Sequence, residues 1–318
     1  MADVGALVGD TPVIRLEAMS GQYGAEVLAK LETFNPGGSI KDRTALSLVD
    51  DAMARGAIQA DTVIIEATSG NTGVALAMAC AARGLRLVLF MPEGQSGERK
   101  QLFWAYGATI IETPQAERTR GAIVRAKALE ARLKNGLMLR QHENPANPWV
   151  HEQTTGPEIW RQTNGRVDVF VAGVGTGGTV TGTARYLKGK NPAIEIVAVE
   201  PANSPVLSGG SAGSHKIQGI GAGFIPDVLD PALIDRVVDV PDEAAIAAAR
   251  QMPRVEGLLV GLSSGAVAWA AEELLRSGKY SGKTFVLIFP DSGERYLSTG
   301  LYQPTDAEWL RRLVPEIF

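Results

Sequence analysis

At 318 residues, 45% of them apolar and 21% charged, the chain is too long for one simple core and is expected to fold as a two-lobed globular protein. Its net charge of −4, with no strongly basic segment, makes nucleic acid a poor partner. The longest uncharged apolar stretch, residues 74–82, is too short to cross a bilayer, so no membrane role is expected.

Met1-Ala2-Asp3-Val4 lacks the basic start and apolar run of a secretory signal. The lone cysteine, Cys80, can form neither an internal disulfide nor a thiolate metal cluster. Both features suit a reducing cytoplasm, and the apolar setting of Cys80 suits packing rather than reactivity.

In chain order, Asn35-Pro36-Gly37-Gly38-Ser39-Ile40-Lys41-Asp42-Arg43 is a glycine-rich turn entering a helix. Its buried stripe is read as Ala45, Leu48, Val49, Ala52 and Met53, with Ser39 as cap and Asp42 completing a partial capping box. Residues 62–67 form a β-branched strand, followed by a glycine turn and a helix over 71–83 that ends at Gly84. A strand over 86–91 stops at Pro92, a helix over 96–106 closes at Gly107, and a strand over 108–112 precedes a helix over 118–134. The two prolines of Asn144-Pro145-Ala146-Asn147-Pro148 are expected to interrupt regular structure and mark a boundary.

The second half repeats the rhythm with a strand over 167–172, a helix over 178–187 and a strand over 194–200. Residues 204–223 read as a long loop, Met252-Pro253 as a helix break, and 284–289 as a fully apolar strand. Near-continuous apolar strands alternating with helices predict an α/β protein with mostly parallel central sheets covered on both faces. The expectation is two doubly wound domains, 1–145 and 146–318, with the first strands able to pair with the second domain's sheet.

Three loops carry chemistry. Lys41 lies in the first turn of its helix and off the apolar stripe, where the helix's positive end lowers the amine's pKa. A neutral amine is what attack on an aldehyde requires, although a solvated lysine beside Asp42 and Arg43 has the same local pattern. Thr68-Ser69-Gly70-Asn71-Thr72-Gly73 joins a strand to a helix N-terminus and crowds neutral donors around one point. A carboxylate suits such a nest; a plain capped turn is the alternative.

Gly173-Val174-Gly175-Thr176-Gly177-Gly178-Thr179 matches the dinucleotide fingerprint, and Glu200 ends the next strand where a ribose-binding acid belongs. That pattern is the case for an NAD(P)-dependent dehydrogenase. Against it, more than half the chain precedes the loop, and the Thr176 and Thr179 hydroxyls suit a compact monophosphate. Together the three loops point to pyridoxal 5'-phosphate held by Lys41 as a Schiff base.

The chain resembles the cysteine synthase (O-acetylserine sulfhydrylase) family of fold-type II pyridoxal-phosphate enzymes. The likeness runs from Gly9-Asp10-Thr11-Pro12 to Gly293-Glu294-Arg295-Tyr296-Leu297-Ser298-Thr299. It includes Thr154-Thr155-Gly156-Pro157-Glu158-Ile159-Trp160, His215-Lys216-Ile217-Gln218-Gly219-Ile220-Gly221-Ala222-Gly223-Phe224 and Gly261-Leu262-Ser263-Ser264-Gly265. The resemblance implies a tryptophan synthase β-like fold, with Lys41 as the Schiff-base residue and Asn71 beside the cofactor's phenolic oxygen. It implies that Thr68, Ser69, Thr72 and Gln141 bind the substrate carboxylate. Gly175, Thr176, Gly177, Gly178 and Thr179 would cradle the phosphate, and Ser263, or its neighbour Ser264, would face the pyridine nitrogen.

The implied reaction converts O-acetyl-L-serine and sulfide to L-cysteine and acetate through an aminoacrylate. A hydroxyl at the pyridine nitrogen leaves the ring a weak electron sink, which suits β-replacement better than transamination. A homodimer and docking of serine acetyltransferase are further implications. Relatives that use O-phosphoserine, or that take homocysteine as a cystathionine β-synthase does, are the near alternatives; Lys216 is the only cation in residues 204–223. The segment between Pro205 and His215 is shorter than the family pattern, and His142 stands where an aromatic is more usual. His142, His151 and His215 read as surface or structural residues, and no metal site is expected.

Overall fold

The computed structural model describes residues 4–94 and 97–302 together with Arg312. The chain opens with β1 (Val13–Arg15), α1 (Glu17–Tyr23) and β2 (Glu26–Leu31), then α2 (Lys41–Ala54). Next come β3 (Val63–Ala67), α3 (Asn71–Ala82), β4 (Arg86–Pro92), α4 (Gly97–Ala105), β5 (Thr109–Thr113), α5 (Arg118–Arg132) and β6 (Gly136–Met138). After α6 (Ala146–Val150), a π-helical turn over His151–Thr155 leads into α7 (Gly156–Gln162). The rest is β7 (Val169–Gly173), α8 (Gly178–Lys190), β8 (Glu195–Pro201), β9 (Arg236–Val240), α9 (Asp242–Val255), α10 (Leu262–Arg276) and β10 (Thr284–Phe289).

Two sheets result. The smaller has the order β5-β4-β3-β6, with each neighbouring pair parallel. The larger runs β1-β2-β10-β7-β8-β9 and is parallel except for the β1–β2 edge pair. Strands from the start of the chain thus sit in the larger sheet, joined through β2 pairing with β10. Parallel strands need helical crossovers, which cover both faces and leave β10 buried at every position. Each sheet has an apolar cluster on each face, exemplified by Phe285 and Phe170 in the larger and Leu89 and Phe90 in the smaller.

Several boundaries differ from expectation for physical reasons. Ala45, Leu48, Val49 and Ala52 of α2 are buried, but Met53, one residue from the helix end, is 46% exposed. The 144–148 segment interrupts regular structure only up to Pro145, which caps α6 because proline's fixed φ is already helical, while Pro148 lies inside the helix. Pro253 likewise lies inside α9, in its last turn, where little helix remains to be disrupted. Pro92 ends β4 as its last residue, and the strands β1, β2, β6 and β9 had no sequence assignment. Ser96, expected to start α4, lies outside the described residues. No described helix is long and apolar enough to cross a membrane.

Candidate active site

The site forms where β3 and β7 end and the chain turns into α3 and α8. In parallel α/β sheets this carboxyl edge is where helix N-termini present free N–H groups. The start of α2 reaches the same place because Ile40 N donates to the carbonyl of Pro290, just past β10, at 2.9 Å.

Lys41 is the first residue of α2 and is only partly exposed. Burial holds its amine below the ordinary lysine value, while the charges of Asp291 and Glu32 oppose that shift. The direction matches the sequence reading, but the leading cause is desolvation rather than the helix terminus. The expected capping box is absent. Ser39 Oγ accepts from Lys41 N at 3.3 Å, and Asp42 turns back to accept from Gly37 N at 2.6 Å. Asp42 is fully buried with Oδ1 unpartnered, and burial pushes its carboxyl up to about 7.

Thr68 and Ser69, on the loop between β3 and α3, and Asn71, the first residue of α3, are partly exposed, whereas Thr72 is buried. The Thr72 hydroxyl donates to Gln141 Oε1 at 2.8 Å, bringing Gln141 to the asparagine loop across 69 positions. Thr68 Oγ1 accepts from Gly70 N at 3.3 Å, which holds the turn.

The glycine loop is built for close approach. Gly177 has φ +84°, a conformation that a Cβ would strain, and a Cβ on Gly175 would lie 2.5 Å from the carbonyl oxygen of Gly219. A Cβ on Gly178 would collide with the Asn147 amide. Asn147 Nδ2 donates to Thr176 Oγ1 at 2.9 Å and to the Gln141 carbonyl at 2.8 Å, so one buried amide ties this loop to the Gln141 segment. Thr179 Oγ1 lies 3.3 Å from Nε2 of His151, whose Nδ1 lies 2.9 Å from Thr155 Oγ1. Burial, reinforced by the charges of Arg43 and Lys41, keeps His151 well below the usual histidine range and therefore neutral.

The two serines at the start of α10 are now distinguishable. The Ser263 side chain lies beside Gly219, which itself packs against Gly175. Ser264 is fully buried, and its Oγ has no hydrogen-bond partner. Ser263 is therefore the one on the side of the glycine loop.

Glu200 is not free to bind a ribose. Its carboxylate accepts from Leu207 N, Ser208 N and Ser208 Oγ, each at 2.8 Å, and so anchors the 204–223 loop. No group of three or more His, Cys, Asp or Glu able to hold a metal occurs among the described residues.

Four contributors escaped the sequence reading as site residues: Asn147, Asp291, Arg295 and Tyr296. Asp291 Oδ2 accepts from Asn71 Nδ2 and from the Tyr296 hydroxyl, both at 2.7 Å, while Arg295 Nη1 donates to Asn71 Oδ1 at 2.6 Å. Arg295 and Tyr296 had a sequence signal in the Gly293-Glu294-Arg295-Tyr296 motif; Asn147 and Asp291 had none as site residues. A separate cavity of about 750 Å³, lined by Leu46, Ala54 and Trp149, opens beside α2. At 3.6 residues per turn its α2 lining faces away from Lys41, so it is not this site.

These contacts define a class: an α/β enzyme that gathers a half-buried lysine, a neutral donor loop and a glycine loop at the carboxyl edges of two sheets. Comparison with known proteins gives the family. Residues 4–291 match the model of the family described as pyridoxal-phosphate dependent enzyme, to which the chain belongs. A cysteine synthase of Staphylococcus aureus is 48% identical over 303 residues, covering 94% of this chain and 96% of that protein. Among solved structures, the cysteine synthase of Entamoeba histolytica superimposes with a TM-score of 0.92 at 38% identity, covering 99% of this chain and 96% of the other. A hydrogen sulfide-producing enzyme from Fusobacterium nucleatum gives a TM-score of 0.90 at 42% identity, covering 93% and 100%.

Proposed function

We infer that the protein is a cysteine synthase, replacing the acetate of O-acetyl-L-serine by sulfide to give L-cysteine with pyridoxal 5'-phosphate as cofactor. The observation that supports this reading is the Thr72–Gln141 hydrogen bond, which ties Gln141 to the asparagine loop where the two would close a neutral nest for an amino-acid carboxylate. The glycine loop supports the cofactor assignment, because its backbone is pressed so close to Gly219 that only glycine fits. When bound, the cofactor supplies an electron sink that acidifies the substrate Cα–H and lets the β-substituent leave.

The chain's own residues do the rest. Lys41 would hold the cofactor covalently, and its amine, when free, would take the substrate's Cα proton and later return it. Thr68, Ser69, Thr72 and Gln141 would hold the carboxylate, and Asn71 would donate to the cofactor's phenolic oxygen. First-turn N–H groups of α8, with the hydroxyls of Thr176 and Thr179, would bind the phosphate. Neutral His151 and Asn147 orient those hydroxyls. Ser263 would face the pyridine nitrogen with a hydroxyl, which would not fix a proton there and would disfavour transamination.

A phosphoserine substrate gains no support from the 204–223 loop, because its cation Lys216 pairs with Glu243 at 2.7 Å. A homodimer, binding of serine acetyltransferase, a cytoplasmic location and a domain split near residue 145 complete the reading. The test is chemical. Borohydride reduction and peptide mapping should place the label on Lys41. O-acetyl-L-serine should displace the cofactor's absorption band and sulfide should restore it. A label on another side chain, or full turnover in Lys41→Ala, refutes the assignment.

A further inference from the structure

Asn71 carries a primary amide with one acceptor oxygen and two N–H donors. Its oxygen takes the Arg295 guanidinium at 2.6 Å, and one N–H gives to Asp291 at 2.7 Å. A flipped amide would set its NH2 against the guanidinium and its oxygen against the carboxylate. Charged partners on both ends therefore select one orientation. The second N–H is left over for a ligand.

The two partners are themselves fixed. Asp291 is 2% exposed; its Oδ2 also takes the Tyr296 hydroxyl, and its carbonyl accepts from Gly261 N at 3.3 Å. Tyr296 lies under the Arg99 guanidinium, 5.4 Å from its ring centroid. Arg295 also donates through Nη2 to the carbonyl of Gly37, in the turn that precedes Lys41. One guanidinium thus spans the asparagine loop and the lysine turn, and sets the distance between the two motifs. Asp291 is also the leading charge opposing the depression of the Lys41 amine.

We infer that Asp291 and Arg295 are positioning residues that lock the Asn71 amide with its spare N–H toward the cofactor's ring oxygen. The inference rests on the proposed role of Asn71 and goes beyond it by naming what orients that amide. A merely structural clamp, holding residues 291–299 against the core, would make the same contacts but would not act through Asn71.

The test is a double-mutant cycle on the holoenzyme, read by the absorption maximum of the bound cofactor and by its release rate into a carbonyl scavenger. Arg295→Ala should move the band in the same direction as Asn71→Ala and speed release about tenfold, the usual scale for losing a charge-assisted hydrogen bond. The double variant should show no shift beyond that of Asn71→Ala alone. Arg295→Lys, which keeps the charge but cannot reach both acceptors, should recover part of the effect, and Asp291→Asn tests the other partner. An additive shift in the double variant overturns the inference. So does an unmoved band in Arg295→Ala while Asn71→Ala moves it, and that result leaves the role of Asn71 intact. An unmoved band in Asn71→Ala removes both.

Discussion

The guanidinium of Arg43 meets the carboxylate of Glu158 in a two-point contact, Nη1–Oε1 at 2.6 Å and Nη2–Oε2 at 2.7 Å. Its other edge meets Glu32 at 2.8 and 2.9 Å, and Lys30 reaches Glu158 at 2.7 Å. Two cations and two anions are thus buried as a neutral set two residues beyond Lys41. Burial is the largest single influence and works to raise both carboxyls, but the charges and hydrogen bonds of Arg43, joined by Lys30, together exceed it and hold Glu32 and Glu158 below the ordinary range.

Removing one member leaves buried charge uncompensated, so Glu158→Ala should cost about 3–5 kcal/mol in urea unfolding. Both carboxyls are depressed, so their contribution is present above the unfolded value near 4.5 and is lost as the pH falls below it. An unchanged midpoint in the variant would show that the network adds nothing to stability.

Asp42 has the opposite sign. Its folded value is raised from 3.8 to about 7, by burial first, with the Gly37 N–H, Arg295 and Arg43 pulling down and Glu32 adding to the rise. The folded state holds this proton where the unfolded chain has lost it, so stability from Asp42 falls as pH rises between about 4 and 7. Asp42→Asn should therefore gain on the parent chain as pH rises, by about 1–3 kcal/mol at pH 8 compared with pH 5. Denaturant titrations at the two pH values measure it; a constant difference would contradict the shift.

The parts of the site that could be read from the sequence are contiguous. Lys41 in its turn, Asn71 in its loop and residues 175–179 each show their residue types and helix-start position within ten residues or fewer. Asn147, Asp291 and Arg295 could not be read that way, because their partners lie up to 224 positions away and an isolated polar residue carries no local pattern. The same limit explains the strands. β3, β4 and β10 are apolar runs with clear stops, whereas β6 has three residues and β1 is a three-residue edge whose pairing is decided by β2. Pro253 misled for a local reason: proline disfavours helix in general, but only two more residues of α9 follow it.

Two glycines at opposite ends of α8 and its loop should respond in opposite directions. A Cβ on Gly175 meets backbone 2.5 Å away, which cannot rotate aside, so Gly175→Ala should cost about 1–3 kcal/mol and weaken cofactor retention. Gly189 has nothing within 4 Å and an ordinary helical φ, so Gly189→Ala should stabilise by about 0.4–1 kcal/mol with retention unchanged. Thermal unfolding and equilibrium dialysis of the two variants separate the effects. Equal retention in both would mean that the loop's tightness does not serve the cofactor.

His142 follows Gln141, and its ring packs against Phe224 with centroids 5.2 Å apart and planes tilted by 59°. Its carbonyl accepts from Val228 N at 3.2 Å, so both ring and backbone support the segment after the 204–223 loop. Burial, then the Lys41 charge, lowers its pKa to about 4, so the ring is neutral at working pH and serves as an aromatic surface. His142→Phe should keep that packing and leave kcat/KM for O-acetyl-L-serine within about threefold, whereas His142→Ala should raise KM by freeing Phe224. Stability gives an independent check. The folded state resists protonation that the unfolded chain accepts below about pH 6.5, so the parent chain should lose stability from there toward pH 4. The Phe variant lacks that loss and should gain about 1–2 kcal/mol on the parent between pH 8 and pH 5. A His142→Phe enzyme with normal stability but abolished turnover would instead assign the imidazole a direct part in the chemistry.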